Sequence, residues 1–457
     1  MPISKILVAN RGEIAVRIIR AARGLGIATA QVVSRADHDM LAARMADEKI
    51  EIGPAQASKS YLNINAIIEA ARVVGADAVH PGYGFLSENA DFADAVEAAG
   101  LIFIGPKGET IRSMGDKAAA RSIAAQAGVR TVPGSEGRIS PSDASRMAEE
   151  LGLPLMIKAA AGGGGRGIRV AHSVQDLEQM MPLASAEALA AFGDGGLYLE
   201  RFIERARHIE VQILGDGTHA IHVFERECSL QRRRQKVWEE APAACLSPHV
   251  RAELCASAVR LAKRVNYRGA GTLEYLYDDK TGEFFFIEMN TRIQVEHPVS
   301  EMVTGIDLVR EMIKIAGGEP LSIRQEDVTL SGHAIECRIN AEDPTADFRP
   351  SPGTVSSISL PDASYVRFDT GVYAGYTVPP FYDSLLGKLI VSGATRGEAL
   401  QRLREALARF QLTGITTTAL LHEHLARDPD VASLNTHTRW LEQWLEGRSL
   451  EVPALAS

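Results

Sequence analysis

The sequence predicts a multidomain protein of mixed class, an α/β domain with a parallel sheet followed by α+β domains. Three observations lead there. The chain has 457 residues, too many for one hydrophobic core and comfortable for about three. Short apolar runs alternate with helical periodicity through the first quarter, the rhythm of a strand and its crossover helix. From about Leu197 onward the strand-like runs lengthen and take on an antiparallel character, as a larger α+β unit would require.

The elements follow in order. ILVAN at 6–10 opens the series, then a helix to about Leu25, then IATAQVVS at 27–34. EKIEIG, a helix around NAIIEAARVVG, DAVHPGYGF, a helix from Ser87 to Ala99 and LIFIGP at 101–106 continue it. Residues 1–115 therefore read as a parallel sheet covered by helices on its faces. Turn residues cluster in PGSEGR at 133–138, and a smaller unit follows in which LPLMIKAAA and GIRVAHS flank the run Gly162 to Gly165 as a hairpin with a glycine-rich tip. HIEVQILGD, AIHVFERECS, GTLEYLY, EFFFIEMN and HAIECRIN provide the later strands, and LEGRSLEVPALAS reads as a fraying tail. There is no internal repeat and no low-complexity tract.

Composition narrows the function. Forty-nine basic residues against 58 acidic ones give a net charge of -9, the wrong overall sign for a protein that coats nucleic acid, so any anion must be held by a local cluster. Cys228, Cys245, Cys255 and Cys337 form no Cys-x-x-Cys pair, which argues against a zinc knuckle or a dithiol centre. MPISKILVAN lacks a basic segment followed by a long apolar one, and no stretch approaches the roughly 18 apolar residues of a membrane span. The expected compartment is the cytoplasm, with no membrane partner.

The motifs point to phosphate chemistry. No G-x-x-x-x-G-K-S/T exists, so a Walker loop is excluded, and NRGEIAVR after the first strand lacks G-x-G-x-x-G. From Lys158 the chain reads KAAAGGGGRG, either a flexible hairpin tip or a lid whose N–H groups approach a polyphosphate. Read at period two, Glu288, Asn290, Arg292, Gln294 and Glu296 fall on one strand face. That face is either solvated or functional. GTLEYLY and EFFFIEMN look like a hairpin, and pairing symmetric about Thr281 sets Glu274 opposite Glu288, two carboxylates that repel unless a cation separates them. With Asn290 nearby, Mg²⁺ is the expected cation. Gln231 to Lys236, QRRRQK, is either a solvated surface or an anion cradle. His422 and His424 read as exposed helix positions, while His208 and His297 stay ambiguous. A glycine lid, paired carboxylates and a basic cluster are together the parts for phosphoryl transfer.

HPGYGFLSEN (80–89), MGDK (114–117), the glycine loop, RHIEVQ, ECSLQRRRQKV, GAGTLEY, FIEMNTRIQVEHPVSEMVTG and RINAEDP extend over nearly the whole chain, and together they resemble the biotin carboxylase family of ATP-grasp enzymes. The resemblance implies a pre-ATP-grasp N-terminal domain at 1–115, a mobile lid domain at 116–204, an ATP-grasp core at 205–330 and a C-terminal domain at 331–447. It implies that ATP, Mg²⁺ (or Mn²⁺) and bicarbonate form carboxyphosphate, which carboxylates biotin borne on a separate carrier. Lys117 and Lys158 would contact the nucleotide, with Gly164 and Gly165 over its phosphates. Glu200 and Ile203 would take the adenine end, His208 the ribose side, and Gln231 and Arg234 would also belong to the nucleotide site. Glu274, Glu288 and Asn290 would hold the metal, and Lys236, Arg292 and the backbone of Val295 the bicarbonate. Glu296 would be the base, Arg338 would stabilise the enolate-like biotin ring, and Tyr83 would line the biotin side.

Four positions depart from the family pattern: Ala161 for a fifth loop glycine, Arg201 for lysine, Arg234 for histidine and Trp238 for a small aliphatic. Family members are often homodimers, although Gly24 replaces a common acidic residue of the first helix. The chain has no biotin-bearing Met-Lys-Met segment, so the implied partners are a biotin carboxyl carrier protein and carboxyltransferase subunits, as in the multi-subunit acetyl-CoA and acyl-CoA carboxylases. Two other readings compete: an ATP-grasp ligase of another carboxylate, opposed by RIQVEHP and RINAEDP, and a non-catalytic ATP-binding scaffold, opposed by Glu274, Glu288, Arg292, Glu296 and Arg338 occurring together.

Overall fold

The computed structural model describes residues 3–135, 139, 143–159, 169–192, 194–448 and 450. Ala161, Gly164 and Gly165 of the glycine run, and the tail from residue 451, lie outside the described residues. The chain forms two compact units, one from Met1–Val129, Arg207–Leu276 and Glu288–Ser457, the other from Arg130–Ala206 and Tyr277–Ile287.

The first unit opens with a parallel sheet of β1 (Lys5–Val8), β2 (Ala28–Ser34), β3 (Glu48–Gly53), β4 (Ala78–His80) and β5 (Ile102–Phe103), in the order β3-β2-β1-β4-β5. Each expected strand is present. The order reverses between β1 and β4, where an open α/β sheet forms a crevice at the strands' carboxyl ends. Asn10 ties that crevice together by donating Nδ2 to Pro81 O at 2.6 Å and Tyr83 O at 2.7 Å. Gly82 between them has φ +62°, and a Cβ there would come within 3.0 Å of Asn10 Nδ2 and Ile14, so glycine is required. The helix Gly12–Gly24 buries Ile14, Ile18 and Ile19 and brings Glu13 to the same end of the sheet.

The second unit holds an antiparallel sheet of β6 (Leu155–Ala159), β7 (Arg169–Ala171) and β8 (Leu197–Arg201), ordered β7-β6-β8, with the helices Ala144–Leu151 and Val174–Phe192 packed on its apolar side chains. The hairpin read from LPLMIKAAA and GIRVAHS is this β6–β7 pair.

An eight-stranded sheet carries the chemistry. It contains β9 (Ala206–Asp216), β10 (Ala220–Arg232), β11 (Gln235–Ala241), β12 (Arg268–Asp278), β13 (Phe284–Asn290) and β14 (His333–Asn340), followed by strands Val366–Thr370 and Leu385–Gly393. Their order is β13-β12-β9-β10-β11-β14, then Leu385–Gly393, then Val366–Thr370. β14 shows why one face is free for function: Ile335, Cys337 and Ile339 pack with Leu400, Leu403 and Leu407 of the helix Arg396–Arg409, while the alternate residues Glu336 and Arg338 point the other way.

Several expectations are corrected. The strand read through Glu296 ends at Asn290. Thr291 N–H donates to Glu88 Oε1 at 3.2 Å and Arg292 Nε to Glu88 Oε2 at 2.8 Å, drawing the chain out of the sheet, and the helix His297–Thr304 begins with Pro298 in its first turn, a position that proline favours. The β12–β13 turn closes with Asp278 N–H donating to Glu283 O at 2.9 Å, so its local centre lies half a residue before Thr281, with Gly282 at φ +73°. His422 is fully buried, not exposed, because its Nε2–H donates to Arg338 O at 2.8 Å; His424 is half-buried. Leu450 is buried in the core beneath β14, so the tail does not fray from Leu445.

Candidate active site

Lys236 sits at the centre of a carboxylate cluster in the first unit. Its Nζ lies 2.5 Å from Glu210 Oε2, 3.1 Å from Glu274 Oε1 and 2.5 Å from Glu296 Oε1. Burial acts against the ammonium charge, but the three carboxylates outweigh it and hold Lys236 well above the ordinary lysine range. Burial likewise opposes ionisation of Glu274 and Glu296. Lys236 and then His208 overcome it at Glu274, and Lys236, Arg338 and Arg226 at Glu296, so both carboxyls are held well below the usual range.

Arg338 braces the other oxygen of Glu296. Its Nη2 lies 3.0 Å from Glu296 Oε2, and its Nε donates to Glu239 Oε1 at 2.6 Å. Thr418 Oγ1 and His422 Nε2 both donate to the Arg338 carbonyl at 2.8 Å, fixing the strand from which the guanidinium projects. Glu239 pairs across the ladder with Glu336. Burial, with the nearby Glu296 charge adding to it, pushes Glu239 up to about 7 despite Arg338. Glu336 is fully buried, and among the described residues neither of its oxygens has a hydrogen-bond partner. Burial holds it well above the carboxylate range, although Lys388 acts in the opposite direction.

Beneath the cluster lies Arg226, fully buried and paired across strands with Glu210. It donates to Glu210 Oε1 at 2.6 Å, Gln212 Oε1 at 2.7 Å, Ser300 Oγ at 2.9 Å, Gln294 Oε1 at 3.1 Å and Thr272 Oγ1 at 3.2 Å. Those bonds tie β9, β10 and β12 to the turn and helix that carry Glu296. His208, Glu210 and Cys228 bring possible metal-binding atoms within 4.8 Å of one another, but both Glu210 oxygens already accept from Arg226 and Lys236.

Glu274, Glu288 and Asn290 do meet. Glu274 Oε1 accepts from Asn290 Nδ2 at 2.9 Å and from Gln294 Nε2 at 2.8 Å, and its Oε2 is 2.9 Å from His208 Nε2. Burial first and the Glu274 charge second raise Glu288 above its ordinary value, with Lys117 acting against them. Two carboxylates that repel in a buried place, with an amide oxygen beside them, fit a hard divalent cation. Asn290 Oδ1 accepts from Arg292 Nη2 at 3.1 Å, so Arg292 links this group to the turn that carries Val295. Tyr83 OH donates to Glu13 Oε1.

The remaining predicted residues divide between the units. Lys117, exposed, starts the helix Lys117–Gln126 in the first unit. Gln231 pairs with Lys236 across the β10–β11 hairpin and donates to Cys228 O at 2.8 Å. Arg233 and Arg234 form the hairpin turn at φ 49° and 65°, values typical of a two-residue turn and unusual for arginine. Arg234 projects from the tip, exposed. In the second unit Lys158 forms an ion pair with the buried Glu200, and Ile203 is buried. Arg201 lies 3.0 Å from Glu283 and stacks 4.9 Å from the Phe285 ring centre. Trp238 packs in the core and donates Nε1 to Glu240 Oε1 at 2.9 Å.

Sequence reasoning missed Glu210, Arg226, Glu239, Glu88 and Lys388. For Glu210 a signal existed, since His208, Glu210 and Gln212 alternate with Ile209, Val211 and Ile213 on β9. Lys388 stands in an apolar strand and Arg226 between Glu225 and Glu227, and nothing local marks their distant partners.

Three family profiles match the chain: biotin carboxylase, N-terminal domain over residues 2–111, carbamoyl-phosphate synthase L chain, ATP binding domain over 116–324, and biotin carboxylase C-terminal domain over 336–443. The biotin carboxylase of Pseudomonas aeruginosa is 53% identical over 446 residues, covering 97% of this chain and 99% of that protein. The crystal structure of a biotin carboxylase–β-γ-ATP complex from Campylobacter jejuni superposes with a TM-score of 0.89 at 47% identity, covering 96% of this chain and 99% of that one. The biotin carboxylase domain dimer of Hydrogenobacter thermophilus 2-oxoglutarate carboxylase, in complex with MgADP, ADP and bicarbonate, gives a TM-score of 0.88 at 44% identity over 99% of this chain and 100% of that one.

Proposed function

The chain belongs to the biotin carboxylase family and catalyses the ATP- and Mg²⁺-dependent carboxylation of biotin on a carrier protein, and from that premise we propose how its residues divide the chemistry. Lys236, Arg292 and Val295 N–H hold bicarbonate, and Glu296 removes its proton. A bicarbonate oxygen then attacks the γ-phosphorus, the bond to the ADP oxygen breaks, and carboxyphosphate forms. Carboxyphosphate splits into CO₂ and phosphate, the phosphate takes the biotin N1′ proton, and N1′ attacks CO₂. Arg338 stabilises the enolate-like ring, and Tyr83 lines the biotin side.

The observation that carries this reading is Glu296, buried and gripped on its two oxygens by Lys236 and Arg338, which hold its carboxyl well below the usual range. While both cations stay on it, the carboxylate is a weak base. Bicarbonate taking up Lys236, and biotin taking up Arg338, would each withdraw a positive charge and raise its basicity as the substrates arrive.

Glu274, Glu288 and Asn290 hold Mg²⁺ (or Mn²⁺), which when bound screens the charge of the phosphate oxygens. Lys117, Lys158, Gln231 and Arg234 serve the nucleotide's charged groups, with Gly164 and Gly165 assigned to its phosphates. His208 takes the ribose side, and Glu200 and Ile203 the adenine end. Because carboxyl on a carrier must be passed onward, carboxyltransferase subunits complete the partner set. The dimer described for the Hydrogenobacter thermophilus domain supports a homodimer here. No helix among the described residues is long and apolar enough to cross a membrane, and we assign the cytoplasm as the compartment.

Steady-state ADP release tests the reading. It should require bicarbonate and Mg²⁺ and rise on adding free biotin; an unchanged rate after rigorous removal of bicarbonate would refute it.

A further inference from the structure

A backbone N–H has no rotamer of its own, so one that binds substrate must be aimed by whatever grips its peptide. Resting on the assignment of Val295 N–H to bicarbonate, we propose that His297 and Lys388 are positioning residues that lock the two peptide units flanking Val295 and point its N–H into the bicarbonate site.

His297 Nδ1 lies 2.8 Å from Gln294 O, and the His297 backbone N–H donates to the same oxygen at 3.3 Å. A carbonyl only accepts, so Nδ1 carries the proton and the ring is held as one tautomer. The Gln294–Val295 peptide is not among the cis bonds, and in a trans peptide the C=O and N–H point opposite ways. Turning Gln294 O toward His297 therefore turns Val295 N–H away from it. That N–H donates to no other group among the described residues. His297 is fully buried, and its Nε2 has no hydrogen-bond partner among the described residues. Burial, reinforced by the cations Lys388, Arg17 and Arg367, holds its pKa well below the ordinary histidine value, so the ring stays neutral with its proton on Nδ1.

Lys388 grips the next peptide. Its Nζ, fully buried, donates to Val295 O at 2.7 Å and lies 3.0 Å from Glu13 Oε1. Tyr83 OH donates to that same Glu13 oxygen. The peptide that leads into Glu296 is thereby anchored to the helix Gly12–Gly24 and, through Glu13, to the residue placed on the biotin side. Two consecutive peptides held from behind leave Val295 N–H and the Glu296 carboxylate little freedom to turn away from a shared substrate.

His297→Leu removes the donor at similar volume, and His297→Asn keeps a donor close to the Nδ1 position. In ADP-release kinetics the KM for bicarbonate should rise by about 10-fold or more in His297→Leu, with MgADP affinity by calorimetry close to the parent's, and return to within about three-fold of the parent in His297→Asn. An unchanged bicarbonate KM in folded His297→Leu, with loss only of melting temperature, overturns the proposal. Should His297→Leu not fold, the pair Glu13→Gln/Lys388→Met, which removes the second grip without leaving a buried charge behind, reads the same KM with the same two outcomes. Arg292→Gln separates the assumptions: a bicarbonate KM insensitive to it refutes the bicarbonate assignment, whereas sensitivity to Arg292→Gln but not to His297→Leu refutes the positioning role alone.

Discussion

Glu296 and Glu336 are 2% and 0% exposed; Glu336 lies on β14, and Glu296, at the start of the helix His297–Thr304, meets Arg338 of that same strand. Around Glu296, Lys236 and Arg338 each touch one oxygen and Arg226 stands close, and the carboxyl is ionised. Around Glu336 no donor among the described residues reaches either oxygen, the ladder neighbour is another glutamate, and burial holds the carboxyl well above the usual range. Equal burial therefore accompanies shifts in opposite directions. What decides is how many cations contact the group and whether donors satisfy its oxygens. The carboxylates around Lys236 are met by direct cation contacts, whereas Glu336 is left without one although Lys388 lies near enough to act on it.

The largest break in that comparison comes from Lys236→Met, which strands Glu210, Glu274 and Glu296 without their shared cation. Removing one partner from a buried ionic group costs about 3–5 kcal/mol, so the melting temperature should fall sharply and turnover should be lost. A variant as stable as the parent would mean that the cluster is not mutually dependent.

Glu296→Gln comes next. The amide keeps the shape and loses the proton acceptor, so turnover should drop by about 10²-fold or more while MgADP binding persists. Turnover within a few-fold of the parent would assign the proton to another group.

Glu336→Gln sharpens the other side. A carboxyl whose folded pKa is raised contributes stability that is fully present below its unfolded value and is lost as pH rises toward the folded one. Glu336 and Glu239 are both shifted upward, so the parent should lose stability from this source above about pH 4.5, at up to about 1.4 kcal/mol per pH unit per group. Replacing Glu336 by Gln should flatten that slope, so the variant gains on the parent as pH rises. Parallel melting curves from pH 5 to 8 would show that Glu336 is ionised after all.

Arg234→His has the smallest expected effect. Arginine stays charged, whereas histidine with an ordinary pKa near 6.5 loses its charge across neutrality, so ATP affinity should weaken newly between about pH 6 and 8. Curves parallel to the parent's would leave Arg234 as a solvated turn residue.

The legible part of the molecule was the part governed by local pattern. The parallel strands of the first sheet show as apolar runs between helices, and the β6–β7 pair as two runs around glycines. Glu274, Glu288 and Asn290 were legible because strand period and hairpin folding are short-range rules. Illegible were groups whose partners are remote: Lys388 with Glu13, Arg338 with His422, Arg292 with Glu88. Alternating polarity also concealed the end of β13, since Arg292 to Glu296 continue the two-residue rhythm while the chain turns toward Glu88 and into a helix. Tyr277–Ile287 joins the second unit from far along the chain, which no linear division of the sequence anticipates.

The central claim is that Glu296 frees a bicarbonate oxygen to attack the γ-phosphorus. With ¹⁸O-labelled bicarbonate in unlabelled water, and biotin present, the phosphate released should carry one bicarbonate oxygen per turnover, because the attacking oxygen stays on phosphorus when carboxyphosphate splits. Phosphate free of label, with an undiminished rate of ADP release, would mean that water is the nucleophile and would contradict the account.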